Sequence, residues 1–256
     1  TLLFDTGYSP VGVPHNVEQL EVNLAEIEAI ILSHGHMDHA GSLYTLLDKL
    51  TKPVRLYLHP GAFIFPRYYG LDDGRMLLFP RALVAAELEE RGAEIVETKG
   101  PTLLAEDMVM ITGEVERSTA FEKGLPNALV EKNGKIEKDR IPDDQALVIH
   151  LRDKGLVVIS GCSHAGIINT LLFAKKTTGI ERIHGVLGGF HLSGPSFESI
   201  IEETIVTLKG MDPKVVVPMH CTGWNAVERF SEEFPNAFIL NSVGSKITLL
   251  CSQFHE

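Results

Sequence analysis

Residues 29–41 read AIILSHGHMDHAG. A short apolar run stops at Ser33, and His34, His36, Asp38 and His39 then crowd into six positions. An apolar run of this length, bounded by turn residues, is a strand candidate. The histidines therefore sit on the loop that leaves a strand. Alternate residues of an extended loop point the same way, so His34 and His36 can grip one cation. Asp38 and His39 fall on the next turn and can reach a second. Imidazole and carboxylate together suit Zn, Fe or Mn. A helix N-cap would explain Asp38, because a helical stretch follows, but not the three histidines beside it.

The 256 residues suit one large domain or two small ones, and 44% apolar content provides a substantial core. Acidic residues outnumber basic ones 34 to 23, for a net charge of -11. That balance argues against a nucleic-acid surface. No apolar run approaches the roughly 20 residues of a membrane span, and the start carries no signal-peptide pattern. Cys162, Cys221 and Cys251 are too few and too scattered for a disulfide framework. A reducing cytoplasm is the expected location. Residue 1 is not Met, and TLLFDTG opens inside an apolar run, as though a strand were already under way.

Around the histidine loop, apolar runs alternate with helical periodicity. Residues 29–33, 54–58, 146–151, 156–160, 182–188 and 214–218 are strand candidates, and 97–115 reads as further short strands. Residues 41–50, 80–92, 165–179, 196–210 and 223–234 have helical spacing. Alternation of this kind implies an α/β protein. LVEKNGKIEK (129–138) suggests a hairpin turning at Asn133-Gly134. AFIFPRYYGLDDGRMLLFPR (62–81) mixes aromatics, Arg, Gly and Pro, and is expected to form a lid or pocket wall extending to about residue 92. No linker divides the chain, so a single domain over 1–256 is expected.

The pattern His34-x-His36-x-Asp38-His39 after a strand resembles the signature of the metallo-β-lactamase superfamily. Phe4-Asp5-Thr6-Gly7 resembles its upstream Asp-Thr-Gly segment, whose Asp usually holds the metal loop. The resemblance implies an αββα sandwich with metals at one edge, here expected to lack the first strand or strands. SGCSHAG (160–166), LGGFHL (187–192) and PMHCTG (218–223) together resemble the branch often labelled dihydropterin–aminobenzene ribofuranosyl phosphate synthases, many of whose relatives are known only as metal-dependent hydrolases.

On that resemblance, His220 matches the superfamily's last metal histidine. Its mid-chain histidine has no counterpart in 100–149, which contains no His, and His164 is the natural substitute. Where the superfamily has a Gly-Asp pair, this chain has Gly161-Cys162. Cys162 is a competent zinc ligand or, equally, a small buried residue. His164 can also be read as a residue that only precedes a helix. His191 follows two glycines that let a substrate approach the backbone; ligand, proton donor and substrate contact all remain open for it. Cys221 would point away from His220 in an extended segment and so reads as packing. His184 reads as structural, His59 as a core or pocket-rim residue, and Glu114 as a weak alternative to His164. His15, His150 and His255 have no partner in sequence. Arg67, Tyr68, Tyr69, Arg75 and Arg81 could hold a phosphate or a flat ring, or form an ordinary loop.

The expected cofactor is one or two divalent cations, zinc first, with Mn, Fe or Mg as alternatives. The expected partner is a small molecule, phosphorylated or pterin-like, with neither nucleic acid nor membrane. The expected activity is hydrolysis of an ester or phosphoester by metal-activated water, with Asp38 and His191 as catalytic groups. The branch resemblance implies an alternative, a transferase joining a dihydropterin-methyl diphosphate to an aminobenzene ribofuranosyl phosphate. A non-enzymatic or di-iron redox module is the third reading.

Overall fold

The computed structural model describes residues 1–250; Cys251 and His255 lie outside them. The chain forms two compact units. One comprises Thr1–Lys99 and Leu125–Asp143, the other Gly100–Gly124 and the residues from Asp144 onward.

In the first unit, strands Leu2–Phe4, Ala29–Ile31, Val54–Leu58 and Ala93–Glu97 lie side by side in that order, all parallel. Parallel neighbours need crossover connections. These carry the helices Gly12–Gln19, Met37–Ala40, Leu43–Leu47 and Ala85–Glu90. Ile30, Leu32, Leu43, Leu47, Leu56 and Leu58 are fully or almost fully buried in the core beneath them. The helix at 12–19 is not evident in the sequence. It begins GVP, and its Pro14 is tolerated only because the first turn has N–H groups without intrahelical partners.

The same unit holds an antiparallel sheet in the order Lys135–Lys138, Ala128–Lys132, Arg67–Gly70, Met76–Leu78. Asn133 (φ 52°) and Gly134 (φ 72°) form the expected tight turn; both central residues have positive φ, the twist that a two-residue hairpin needs. Two of these strands come from the 62–81 segment.

The second unit is one six-stranded sheet, in the order Val215–Met219, Ile183–Gly189, Gly155–Ser160, Ala146–Leu151, Val109–Ile111, Thr102–Leu104. The first three are parallel to one another and the rest antiparallel. The helix Ile167–Thr178 follows the strand Gly155–Ser160. It buries Ile167, Ile168, Leu171 and Ala174 on one face and stops at Gly179 in the left-handed conformation (φ 70°). Among the described residues no helix is long and apolar enough to cross a membrane.

Glu122, 5% exposed, closes the start of that helix. Its Oε1 accepts the N–H of Ile168 at 2.9 Å and its Oε2 that of Asn169 at 2.7 Å. These are two of the N–H groups that a helix start leaves without partners. Burial raises the Glu122 carboxyl from the ordinary 4.5 to about 7, against the pull of those two bonds. Between these values the folded chain keeps a proton that the unfolded chain releases, so this group's contribution to stability falls as pH rises from about 4.5 to about 7. Glu122→Gln loses one acceptor. Urea unfolding is expected to show it about 1–3 kcal/mol less stable than wild type at pH 5. The gap should shrink by pH 8, because the variant lacks the titration; a gap that is constant with pH would contradict this assignment.

Candidate metal centre

Three parallel strands of the first unit end in chemically active residues: Asp5 after Leu2–Phe4, His34 and His36 after Ala29–Ile31, and His59 after Val54–Leu58. Carboxyl ends of parallel strands are where α/β proteins place ligands. His36 precedes the short helix Met37–Ala40, and Asp38 lies in its first turn rather than capping it. One donor atom each of His34, His36 and Asp38 lie within 4.8 Å of one another. The His34 ring centroid is 4.5 Å from that of His36 and 4.2 Å from that of His39. Burial of the His36 ring lowers its pKa to about 4, more than the nearby Asp143 charge raises it. A neutral imidazole is the form that a cation requires.

The loop is held by its backbone. Asp5 accepts the Ser33 N–H at 2.6 Å through Oδ1, and through Oδ2 the Ser33 hydroxyl at 2.7 Å; Oδ2 also lies 2.6 Å from His39 Nδ1. Asp143, fully buried, accepts the Gly35 N–H at 2.8 Å. Gly35 must be glycine, because a Cβ there would lie 2.4 Å from the Ala62 carbonyl oxygen. Burial by itself would raise the Asp143 carboxyl, but the Arg67 guanidinium and the Gly35 bond hold it below the usual range.

In the second unit, the three parallel strands also end in candidate ligands: Cys162 and His164 after Gly155–Ser160, His191 after Ile183–Gly189, and His220 with Cys221 after Val215–Met219. Each loop turns through a residue of positive φ, namely Ser163 (58°), His191 (51°) and His220 (53°). Non-glycine residues held there are uncommon and gather at functional sites. The His164 and His191 rings are 4.4 Å apart, and His191 stands edge-on to Phe197. The 160–166 loop is held by Asp144, which accepts the Ala165 N–H at 2.7 Å, and by Arg117, which donates to the His164 carbonyl at 3.2 Å.

Several expectations change. Cys221 does not point away into packing. His220 is left-handed rather than extended, so alternation fails, and the Cys221 thiol donates to the Cys162 carbonyl at 3.4 Å. Its contacts with Cys162 and His191 pull it down to about 5 against burial. The glycines before His191 make room for neighbouring loops instead of substrate: a Cβ on Gly188 would lie 2.1 Å from the Ser160 carbonyl oxygen, and one on Gly189 2.6 Å from Cys221 Sγ. Arg67 is unavailable to a phosphate. It is 4% exposed and bonds Asp139 at 2.9 Å, Asp143, and the Gly61 carbonyl at 3.1 Å. Tyr68 donates to Glu131, and Arg75 pairs with Asp73. His59 accepts the Gly61 N–H and caps a short turn, His184 lies buried within a strand, and Glu114 is exposed. Asp143 and Asp144 are invisible as functional residues in sequence; IPDDQ looks like an ordinary polar turn.

Asp5→Ala is expected to leave the fold intact by circular dichroism while weakening divalent-cation binding by about 10–100-fold in a chelator competition, as loss of an outer partner does. Unchanged affinity would show that Asp5 does not govern the loop.

The sequence profile of the Metallo-beta-lactamase superfamily matches residues 1–167. A 7,8-dihydropterin-6-methyl-4-(beta-D-ribofuranosyl)-aminobenzene-5'-phosphate synthase from Methanocaldococcus jannaschii is 33% identical, over 93% of this chain and 80% of the relative. An uncharacterized protein of the same organism is 32% identical, over 96% and 88%. A crystal structure described as a metal-dependent hydrolase of the beta-lactamase superfamily is 31% identical, covering 97% of this chain and 89% of the other with a TM-score of 0.79. Zinc-bound PqqB from Methylobacterium extorquens, 14% identical with a TM-score of 0.54 over 97% and 83%, shares the fold. The α/β class expected from alternating strands and helices is thus found, and the chain belongs to the metallo-β-lactamase superfamily, as the resemblance of its histidine motif implies.

Proposed function

We propose that this protein is a metal-dependent hydrolase acting on a small ester or phosphoester-type substrate. The observation that carries the reading is the His34–His36–Asp38 donor set on the loop after a parallel strand, with His36 held neutral by burial. Likeness to a structure described as a metal-dependent hydrolase supports it. The ligands carried over from the family motif are His34, His36, Asp38 and His39 in the first unit, and Cys162, His164 and His220 in the second. Each set offers donors to a divalent cation, and imidazoles with a thiol in the second set favour zinc. When bound, the metal supplies Lewis acidity, which acidifies water and polarises a carbonyl or phosphoryl oxygen.

The remaining chemistry belongs to side chains. The Asp38 side chain, 44% exposed and 3.5 Å from His39 Nε2, would take up a proton as water is activated. His191, half-buried, is suited to steady a leaving group. Asp5, Asp143 and Asp144 fix the loops, so the donors need not reorganise during turnover. The net charge of -11 does not exclude an anionic substrate, because bound cations reverse the local field. Cys162 and Cys221, neither in a disulfide, fit a reducing compartment such as the cytoplasm.

Similarity to the Methanocaldococcus jannaschii synthase favours a second reading. There the amine of an aminobenzene ribofuranosyl phosphate displaces diphosphate from a dihydropterin-methyl diphosphate, forming a carbon–nitrogen bond.

Purified protein is expected to contain zinc by elemental analysis and to cleave nitrophenyl phosphodiesters. His34→Ala should lower that activity by more than the roughly 100-fold that loss of an outer partner costs. Diphosphate release only when both pterin and arylamine are supplied, with no diesterase activity, would establish the synthase instead. Protein that holds no metal and cannot be loaded would defeat both readings.

A further inference from the structure

Cys162, His191 and Cys221 come from three loops at the carboxyl ends of three adjacent parallel strands, and one donor atom of each lies within 4.8 Å of the others. All three lie in one compact unit. Cys162 is 3% exposed and the other two are half-buried. Nothing in the apolar core requires two thiols and an imidazole to converge. Their convergence also depends on left-handed backbone at His191 and His220, and on a glycine at 189 where any Cβ would strike Cys221 Sγ. One ring nitrogen of His191, Nδ1, is buried and makes no hydrogen bond among the described residues. A buried ring nitrogen without a partner is costly unless something absent from the chain itself satisfies it.

We propose that Cys162, His191 and Cys221 form a thiolate-type cation site within this unit, suited to Zn²⁺ or a similarly soft cation. Zinc takes thiolates at about 2.3 Å and imidazoles at about 2.0–2.1 Å, which brings donors to within about 4 Å of one another. The observed cluster needs only a small closure to reach that spacing. Three protein donors, two sulfur and one nitrogen, leave a fourth position open, as in zinc sites that admit water or substrate. Loading releases the two thiol protons to solvent, with both sulfurs bound as thiolates. Of the residues named for the hydrolase reading, the site takes Cys162 from the carried-over ligand set and His191, which would there be a ligand instead of a leaving-group contact. It excludes magnesium as its occupant, because hard cations prefer oxygen.

The test uses the full chain, reduced and stripped of metal, and titrated with Cd²⁺ while the ultraviolet thiolate-to-cadmium band is followed. The expected band has two-thiolate intensity. It should fall to about half in Cys221→Ser and in Cys221→Ala, and vanish in the Cys162→Ser/Cys221→Ser double variant. His191→Ala should weaken binding about 10-fold or more. Circular dichroism checks folding in each case. In the wild type, Zn²⁺ should protect Cys162 and Cys221 equally from alkylation, read by mass spectrometry. A band unaffected by both Cys221 variants, or protection of Cys162 alone, overturns the proposal. The His34→Ala/His36→Ala variant separates this site from the proposed function: it should lose hydrolysis yet keep the cadmium band. If that variant loses the band while the Cys221 variants keep it, only the family ligand set binds metal, and this proposal fails while the hydrolase reading survives.

Discussion

In each unit the candidate ligand loops depend on carboxylates that hold backbone N–H groups. Asp5 secures Ser33 and His39, Asp143 secures Gly35, and Asp144 secures Ala165. Each accepts from a loop that carries candidate ligands. A carboxylate accepting backbone N–H bonds in a buried setting is a strong, directional anchor. Histidine loops crowded with imidazoles need such anchors, because the rings alone would not choose one arrangement. Asp143 and Asp144 are consecutive, yet each serves the loop of a different unit.

Asp143 is itself held. Arg67 reaches it together with Asp139 and the Gly61 carbonyl, and all three charged side chains are buried. A buried ion cluster of this kind adds little net stability, but breaking it leaves an uncompensated charge. Its value here is positional. It fixes the strand Arg67–Gly70 and, through Asp143, the backbone of Gly35. The segment that reads as a lid or pocket wall thus contributes a structural brace in Arg67.

How much of this was legible follows the range of the interactions involved. The strands at 54–58 and 146–151 were readable to the residue, and the turn at Asn133-Gly134 was fixed by its dipeptide. The histidine cluster was readable because His34, His36, Asp38 and His39 are neighbours in sequence and need only a loop to converge. The helix at Gly12–Gln19 was not, since a Gly and a Pro in its first turn mask its periodicity. The position of Cys221 was not legible either, because the positive φ of His220 redirects the next side chain out of the extended alternation.

The sequence alone determined the α/β class and the clustering of His34, His36, Asp38 and His39, which rest on local patterns: apolar runs that become strands, and donors spaced within one loop. The fold family followed from the resemblance of that motif to a known superfamily. Only the tertiary structure decided which carboxylates hold those loops, that Arg67 is a buried brace, and that Cys162, His191 and Cys221 converge. Those groups are separated by tens of residues. Their meeting is set by the order of parallel strands in the sheet and by left-handed turns at their ends, which no local pattern specifies.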